Sequence, residues 1–133
     1  MDRKAIIIKS NDRGNRILCI DVDNRAEIMR YLTQDARHIK KFRYISEIIL
    51  SGLKNTDLYD KEEIDDKSKG VTAMKFFKGQ ENDRIYCKEI IEDGKVFIVI
   101  MAILLEKKKN RKVKQRERNA IHKVGSYEYE IEK

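Results

Sequence analysis

The sequence predicts an α+β domain: a single antiparallel β-sheet packed by an N-terminal helical pair and a C-terminal helix, with an extra β-hairpin at the N-terminus. Three observations predict this class. Two β-rich runs open the chain, a long stretch with apolar residues at helical steps follows, and three more β-rich runs precede a last helical pattern. A chain of 133 residues suffices for one compact core, so residues 1–133 are taken as one domain.

The N-terminal hairpin and the helical pair are predicted from the first 53 residues. The runs "KAIIIKS" and "NRILCIDV" are separated by the turn-forming cluster "NDRG". Asn24 and Glu27 then have the spacing of a capping box, and Gly52 is a plausible helix stop. The segment between them is weakest at residues 33–35, so we expect two antiparallel helices, with one long helix as the alternative. Its apolar stripe consists of Ile28, Leu32, Ala36, Ile39, Phe42, Ile45, Ile49 and Leu53.

The second half of the chain predicts three strands and a helix. The polar, acidic residues 54–70 are expected to form a loop, and the strands are "VTAMKFF", "RIYCKEII" and "VFIVIMAILL". The turn "EDGK" joins the last two strands. The last strand is apolar on both faces, which predicts a central place in a sheet that is covered on both sides. A helical pattern runs from Asn110 to Tyr127, and "YEYEIEK" either ends it or forms a short strand.

The excess of positive over negative charge comes from one segment of the chain. The net charge of the chain is +7, and nine Lys or Arg against two Glu between Glu106 and Lys123 account for all of it. A cationic run that follows a buried strand is held at one rim of the sheet, and its charges repel unless a polyanion relieves them. This segment therefore predicts an anionic partner, such as a nucleic acid.

Several classes of protein are disfavoured by the sequence. Cys19 and Cys87 form neither a disulfide framework nor a metal-binding pattern. The apolar stretch near the N-terminus spans only four residues, too few for a signal peptide, and Ile98–Leu105 is far too short to cross a bilayer. We therefore expect a cytoplasmic protein with no membrane partner. The chain also has no phosphate-binding GxxxxGK[ST] loop and no HExxH motif.

The order of several motifs resembles the RelE/HigB family of bacterial toxins over roughly Ile17 to Tyr127. These motifs are "NRAEIMRYL" at the start of the helical pair, "RIY" in a strand, "KKK" after the apolar strand, and the spacing of Ala120, Lys123 and Tyr127 in the last helix. The resemblance implies a RelE-like fold and the toxin of a type II toxin–antitoxin pair. It implies an endoribonuclease that needs neither metal nor cofactor and cleaves messenger RNA in the ribosomal A site. The implied partners are that RNA and a cognate antitoxin.

The resemblance also implies which residues act. Arg84 would contact the scissile phosphate, one of Lys107 and Lys108 would act as base while the other holds phosphate, and Tyr129 would stack on a base or donate to the leaving oxygen. Lys75 would take the place of an Arg, because Ala73-Met74-Lys75 stands where the family has a Glu-Leu-Arg-like triplet. The residues expected to bind RNA are Lys109, Arg111, Lys112, Lys114 and Arg118.

Other interpretations remain open at this stage. The same residues could form an RNA- or ribosome-binding module without catalysis, and ParE-type members of the superfamily bind gyrase and leave RNA intact. His122 is a weaker site candidate, and His38 is expected to be structural or solvent-facing. Tyr127 is expected in the core, and the acidic stretch from Asp57 to Asp66 is expected to be a solvated loop.

Overall fold

A computed structural model describes residues 2–77, 79–106 and 113–132, with the side chain of Val113 left out. The strands are β1 (Arg3–Ser10), β2 (Arg16–Asp21), β3 (Tyr59–Lys61), β4 (Val71–Phe76), β5 (Asp83–Glu92), β6 (Val96–Leu105) and β7 (Tyr129–Glu132). The helices are α1 (Arg25–Leu32), α2 (Ala36–Ser51) and α3 (Val113–Ser126), and a 3₁₀ helix spans Asp66–Ser68. The predicted α+β class is confirmed.

The seven described strands form one mixed sheet in the order β3-β4-β5-β6-β2-β1-β7. Neighbours are antiparallel except for β2 with β6 and β1 with β7, which are parallel. The predicted antiparallel-only sheet is therefore wrong, and so is the RelE-like detail of that prediction. The physical reason is that an apolar pattern marks a strand as buried but does not specify the direction of its neighbour.

Strand β6 lies in the middle of the sheet, as its two-sided apolar pattern predicts. On one face, Val99 and Met101 pack in a core with residues of α1 and α2. On the other face, Ala102 and Leu105 pack with Ala120, Ile121 and Val124 of α3. Both faces of the sheet are therefore covered, and α3 is held over the β4–β6 part of the sheet.

The helical segment is divided where its sequence is weakest. Helix α1 ends at Leu32, and Asp35 caps α2 by accepting the backbone N–H of His38 at 2.8 Å. Helix α2 stops at Gly52, whose φ of 76° is the left-handed conformation that glycine adopts readily. The prediction of two helices is thus confirmed and the alternative of one long helix is wrong, although the apolar stripe is interrupted because Ile39 and Leu53 are exposed.

The predicted capping box at the start of α1 does not form. Asn24 occupies the N-cap position, but its side chain makes no hydrogen bond to the helix. Its amide instead donates to the carbonyl oxygen of Ala102 at 2.7 Å. The Asn24 side chain thus makes a tertiary hydrogen bond to β6 in place of the helix cap that the local sequence predicts.

The acidic stretch is more structured than a solvated loop. Residues 59–61 form the edge strand β3, and the 3₁₀ helix packs against α3. Gly125 permits this approach, because a Cβ there would overlap the carbonyl oxygen of Lys67. The loop prediction is therefore wrong for these two elements.

Two further predictions concern turns and membrane spans. Asp93 and Gly94 both have positive φ, at 55° and 68°, and the backbone N–H of Lys95 donates to the carbonyl oxygen of Glu92 at 3.1 Å, so the predicted hairpin turn between β5 and β6 forms. None of the helices in the described part of the chain has the length and apolar character needed to cross a membrane.

Candidate nucleic-acid interface

A concave hollow lies between β5, the N-terminal half of α3 and the acidic segment after β3. Its volume is about 300 Å³. Three of the predicted site residues, Arg84, Lys114 and Arg118, line it together. The other lining residues are Glu62, Ile64, Tyr86, Glu117 and Ile121. The structure therefore brings the predicted strand arginine together with two of the predicted RNA-binding cations.

The strand geometry explains why Arg84 faces this hollow. Side chains alternate along a strand, so Arg84 and Tyr86 lie on the same face of β5. Tyr86 belongs to the core beneath α3, where it packs with Ala120 and Ile121. Arg84 is therefore directed to the α3 side of the sheet, half-buried and beside the helix.

The helix geometry supplies the opposite wall. Four lining residues follow one another along α3 at steps of three, one and three positions, which places them on one face of the helix. They are Lys114, Glu117, Arg118 and Ile121. Ile121 anchors this face in the core, and the longer polar side chains extend from it towards β5. The arrangement therefore follows from the helical repeat of the sequence.

The hollow holds charges of both signs. Its lining includes three cationic side chains and the two carboxylates of Glu62 and Glu117. Burial raises the pKa of Tyr86 to about 12, and the Glu62 carboxylate acts in the same direction. The phenol of Tyr86 therefore keeps its proton at neutral pH and can act only as a neutral O–H group. Cations for a phosphate, carboxylates that accept protons and a protonated phenol thus occur in one hollow.

Lys75 lies on the same sheet face as Arg84, because the two residues are direct partners in the β4–β5 ladder. Its ammonium group, however, donates to the carbonyl oxygen of Thr56 at 3.1 Å and lies 4.0 Å from a carboxylate oxygen of Asp60. Lys75 is not among the residues that line the hollow.

Tyr129 is also placed elsewhere. It lies on the edge strand β7, and its hydroxyl donates to Oδ2 of the buried Asp21 at 2.6 Å. Burial and this hydrogen bond raise the pKa of Tyr129. The arrangement joins β7 to the neighbouring strands and does not present the hydroxyl to the hollow.

The remaining predicted residues, Lys107, Lys108, Lys109, Arg111 and Lys112, lie outside the described part of the chain. The described residues on either side of them do bear on the hollow. Leu105, the last residue of β6, is the ladder partner of Arg84. Helix α3, described from Val113 onwards, contributes Lys114 to the hollow.

No protein-family model, curated protein or solved structure matches this chain. The resemblance to RelE/HigB toxins rests on the quoted motifs alone. The function of the hollow is therefore argued from its own residues.

Three polar lining residues, Glu62, Tyr86 and Glu117, were not among the residues predicted from the sequence. Tyr86 and Glu117 could have been found, since one lies two residues after Arg84 in a strand and the other shares a helix face with Lys114 and Arg118. Glu62 gave no such signal, because only the folded chain brings the segment after β3 to α3. His122, the weaker candidate, lies outside the hollow and forms a 2.7 Å hydrogen bond with Asp65.

Proposed function

We propose that this hollow binds the phosphate backbone of RNA and that the protein cleaves messenger RNA there on the ribosome, as a RelE/HigB-like toxin. The observation that carries the proposal is the convergence of Arg84, Lys114 and Arg118 on one concave surface. Arg and Lys are the side chains that bind phosphate most strongly, and Arg offers two parallel donors. The lysine run that follows Leu105 adds to the cationic character of the same segment.

The chemistry proposed for the hollow is attack of a ribose 2′-hydroxyl on the adjacent phosphorus. A carboxylate, Glu62 or Glu117, accepts the 2′ proton while the new O–P bond forms. Arg84 and Arg118 stabilise the charge that develops on the phosphoryl oxygens. The bond to the 5′ oxygen then breaks, and that oxygen takes a proton from a protonated group of the hollow, Tyr86 or Lys114. The products are a cyclic phosphate and a free 5′-hydroxyl, and no other reactant is consumed.

The proposal extends to partners and place. An antitoxin that covers the hollow with acidic side chains would block phosphate binding, and a toxin that acts on translating ribosomes works in the cytoplasm. A gyrase-directed, ParE-like toxin is the competing outcome, and it would leave RNA intact while inducing a DNA-damage response.

The proposal is tested by inducing the chain in bacteria and mapping the ends of messenger RNA, with Arg84→Ala as the key variant. We expect new ends at A-site codons, carrying cyclic phosphate, and a fall in cutting of about 100-fold or more for Arg84→Ala, because a transition-state cation is lost. Arg30→Ala, an exposed arginine of α1, is the matched control and should cut normally. Intact messenger RNA and unimpeded growth with the unaltered chain would exclude the nuclease.

RNA binding without cleavage is the second candidate, and one observation favours it. Lys75 and Tyr129, two of the five residues expected to be catalytic, have their polar atoms bound elsewhere. This candidate predicts that Lys114→Ala and Arg118→Ala weaken binding to single-stranded RNA. It also predicts that the RNA stays uncut with the unaltered chain and with every variant.

A further inference from the structure

A second group of ligating side chains lies on the face of the sheet opposite the hollow. One ring nitrogen of His38 and one carboxylate oxygen each of Glu81 and Asp83 all lie within 4.8 Å of one another. His38 is in the first turn of α2, Glu81 is in the turn before β5, and Asp83 is the first residue of β5. Two distant parts of the chain, the start of α2 and the start of β5, therefore place their donor atoms together.

The imidazole ring of His38 is held in a fixed orientation. Nδ1 lies 2.7 Å from Oδ1 of Asp35, and the ring makes edge contacts with Tyr31 and Phe77 at centroid distances of 4.9 and 4.8 Å. The same carboxylate oxygen of Asp35 also accepts the backbone N–H of His38 at 2.8 Å, so the carboxylate is held against the ring. Because Nδ1 is turned to Asp35, Nε2 is the ring nitrogen left to bind an ion, and a carboxylate behind a histidine is the usual support of a metal ligand.

The carboxylate of Asp83 is supported in the same manner. Asp83 is 5% exposed, and its Oδ2 accepts the hydroxyl of Tyr31 at 2.7 Å. Ligating carboxylates in proteins are themselves hydrogen-bonded by such groups.

Glu81 is the solvent-exposed member of this group of three side chains. Its side chain is 48% exposed and forms an ion pair with Arg37 at 3.1 Å. An exposed ion pair of this kind contributes little to stability, so Glu81 can turn inward at small cost. That movement is what a metal site requires, because ligand atoms around a tetrahedral Zn²⁺ lie about 3.4 Å apart.

We propose that His38, Glu81 and Asp83 bind one divalent transition-metal ion, with Zn²⁺ as the preferred ion. Nε2 and two carboxylate oxygens make a mixed nitrogen and oxygen set, which suits Zn²⁺ better than Mg²⁺. The bound ion links the start of α2 to the turn before β5, and its fourth position is open to water or another ligand. This site does not depend on the function proposed for the hollow.

The test uses the untagged full chain, which has only two histidines. Titration calorimetry with ZnCl₂ is expected to give one site, CoCl₂ is expected to give visible absorption from a low-coordinate ion, and MgCl₂ is expected to give neither signal. Glu81→Gln should weaken Zn²⁺ binding at least tenfold, and Asp35→Asn, which keeps an N-cap oxygen, should weaken it about 10- to 100-fold. His122→Asn and the exposed Glu47→Gln are the controls and should bind as the unaltered chain does.

Zn²⁺ should also raise the melting temperature by about 5 °C or more at roughly 100 times its dissociation constant, because it binds only the folded chain. The proposal is overturned if the unaltered chain shows no stoichiometric Zn²⁺ binding. It is equally overturned if Glu81→Gln binds normally, or if His122→Asn abolishes binding, since the ion would then lie elsewhere. Because Glu81 is exposed, its variant tests the site without disturbing the core.

Discussion

At the scale of single residues, Asp21 organises one end of the sheet. It is fully buried, and its carboxylate accepts hydrogen bonds from Nε of Arg3 at 2.8 Å, the hydroxyl of Tyr129 at 2.6 Å and the backbone N–H of Asp23 at 2.8 Å. The bond to Asp21 raises the pKa of Arg3, which remains charged at every relevant pH. A buried carboxylate needs such partners, and this need explains why Tyr129 points into the protein.

The placement of Tyr129 makes a prediction that separates stability from activity. Tyr129→Phe removes a hydrogen bond to a buried charge, so the free energy of unfolding should fall by about 1.5–3 kcal/mol. Unfolding in urea measures this change, and Tyr44→Phe, at an exposed position, should leave the midpoint unchanged. RNA binding and cleavage per folded molecule should be unaffected. A large loss of cutting at unchanged stability would restore the catalytic role that the resemblance implied.

Between elements, the acidic segment and α3 are joined by a histidine–carboxylate pair. The hydrogen bond from His122 lowers the pKa of Asp65 below its ordinary value of 3.8. Because the pKa of Asp65 is lower in the folded chain than in the unfolded chain, the pair stabilises the fold at pH values above 3.8. This contribution is lost as the pH falls through the lowered pKa of the folded state.

The pair therefore predicts a measurable titration. His122→Asn should return the pKa of Asp65 towards 3.8 from below, since the hydrogen bond with the imidazole ring is removed. Carboxyl ¹³C chemical shifts followed against pH report this value directly. Asp35, whose pKa is lowered by its own hydrogen bonds with His38, serves as the internal reference and should titrate alike in both proteins. An unchanged Asp65 titration would mean that the contact does not form in solution.

The close approach of the 3₁₀ helix to α3 makes a further prediction at this scale. Gly125→Ala should destabilise the protein by about 1–3 kcal/mol, because the new methyl group overlaps the carbonyl oxygen of Lys67 and the two elements must separate. Thermal unfolding measures the loss. Asn119→Ala, at an exposed position of the same helix, should be neutral or slightly stabilising, since alanine has the higher helix propensity. Equal stability of both variants would exclude the tight contact.

At the scale of the whole molecule, two adjacent residues of β5 belong to two different sites on opposite faces of the sheet. Arg84 faces the cationic hollow under α3, and Asp83 faces the metal-binding group beside α2. Alternation along the strand puts consecutive side chains on opposite faces of the sheet. The two sites can therefore be altered independently.

This separation predicts how binding to RNA responds to salt. Lys114→Ala with Arg118→Ala removes two phosphate contacts, so the slope of log K against log salt for single-stranded RNA should become shallower by about 1.4. Filter binding over a range of salt concentrations gives the slope. Lys40→Ala with Arg43→Ala removes the same charge from the exposed face of α2 and should leave the slope unchanged. Equal slopes for both pairs would exclude the hollow as the binding site.

Sequence reasoning located what depends on local pattern. The break near Thr33, the stop at Gly52, the turn at Asp93-Gly94 and the central place of β6 all follow from local residue preferences and periodicity. The direction of β2 against β6 and the contact of Glu62 with α3 depend on how distant segments meet, which no local pattern encodes. The cluster of His38 with Glu81 and Asp83 was missed for the same reason, since His38 lies more than forty residues from the two carboxylates.

The two outermost strands, β3 and β7, have a consequence for how copies of the chain behave towards one another. They contain only three and four residues, and their sequences "YDK" and "YEIE" carry charges along the unpaired edge. A short edge offers few backbone groups to a neighbouring chain, and charged side chains on it disfavour pairing with a second copy because they would have to give up their water. A sheet whose inner strands are as apolar as β6 is thereby shielded from fibril growth at high concentration.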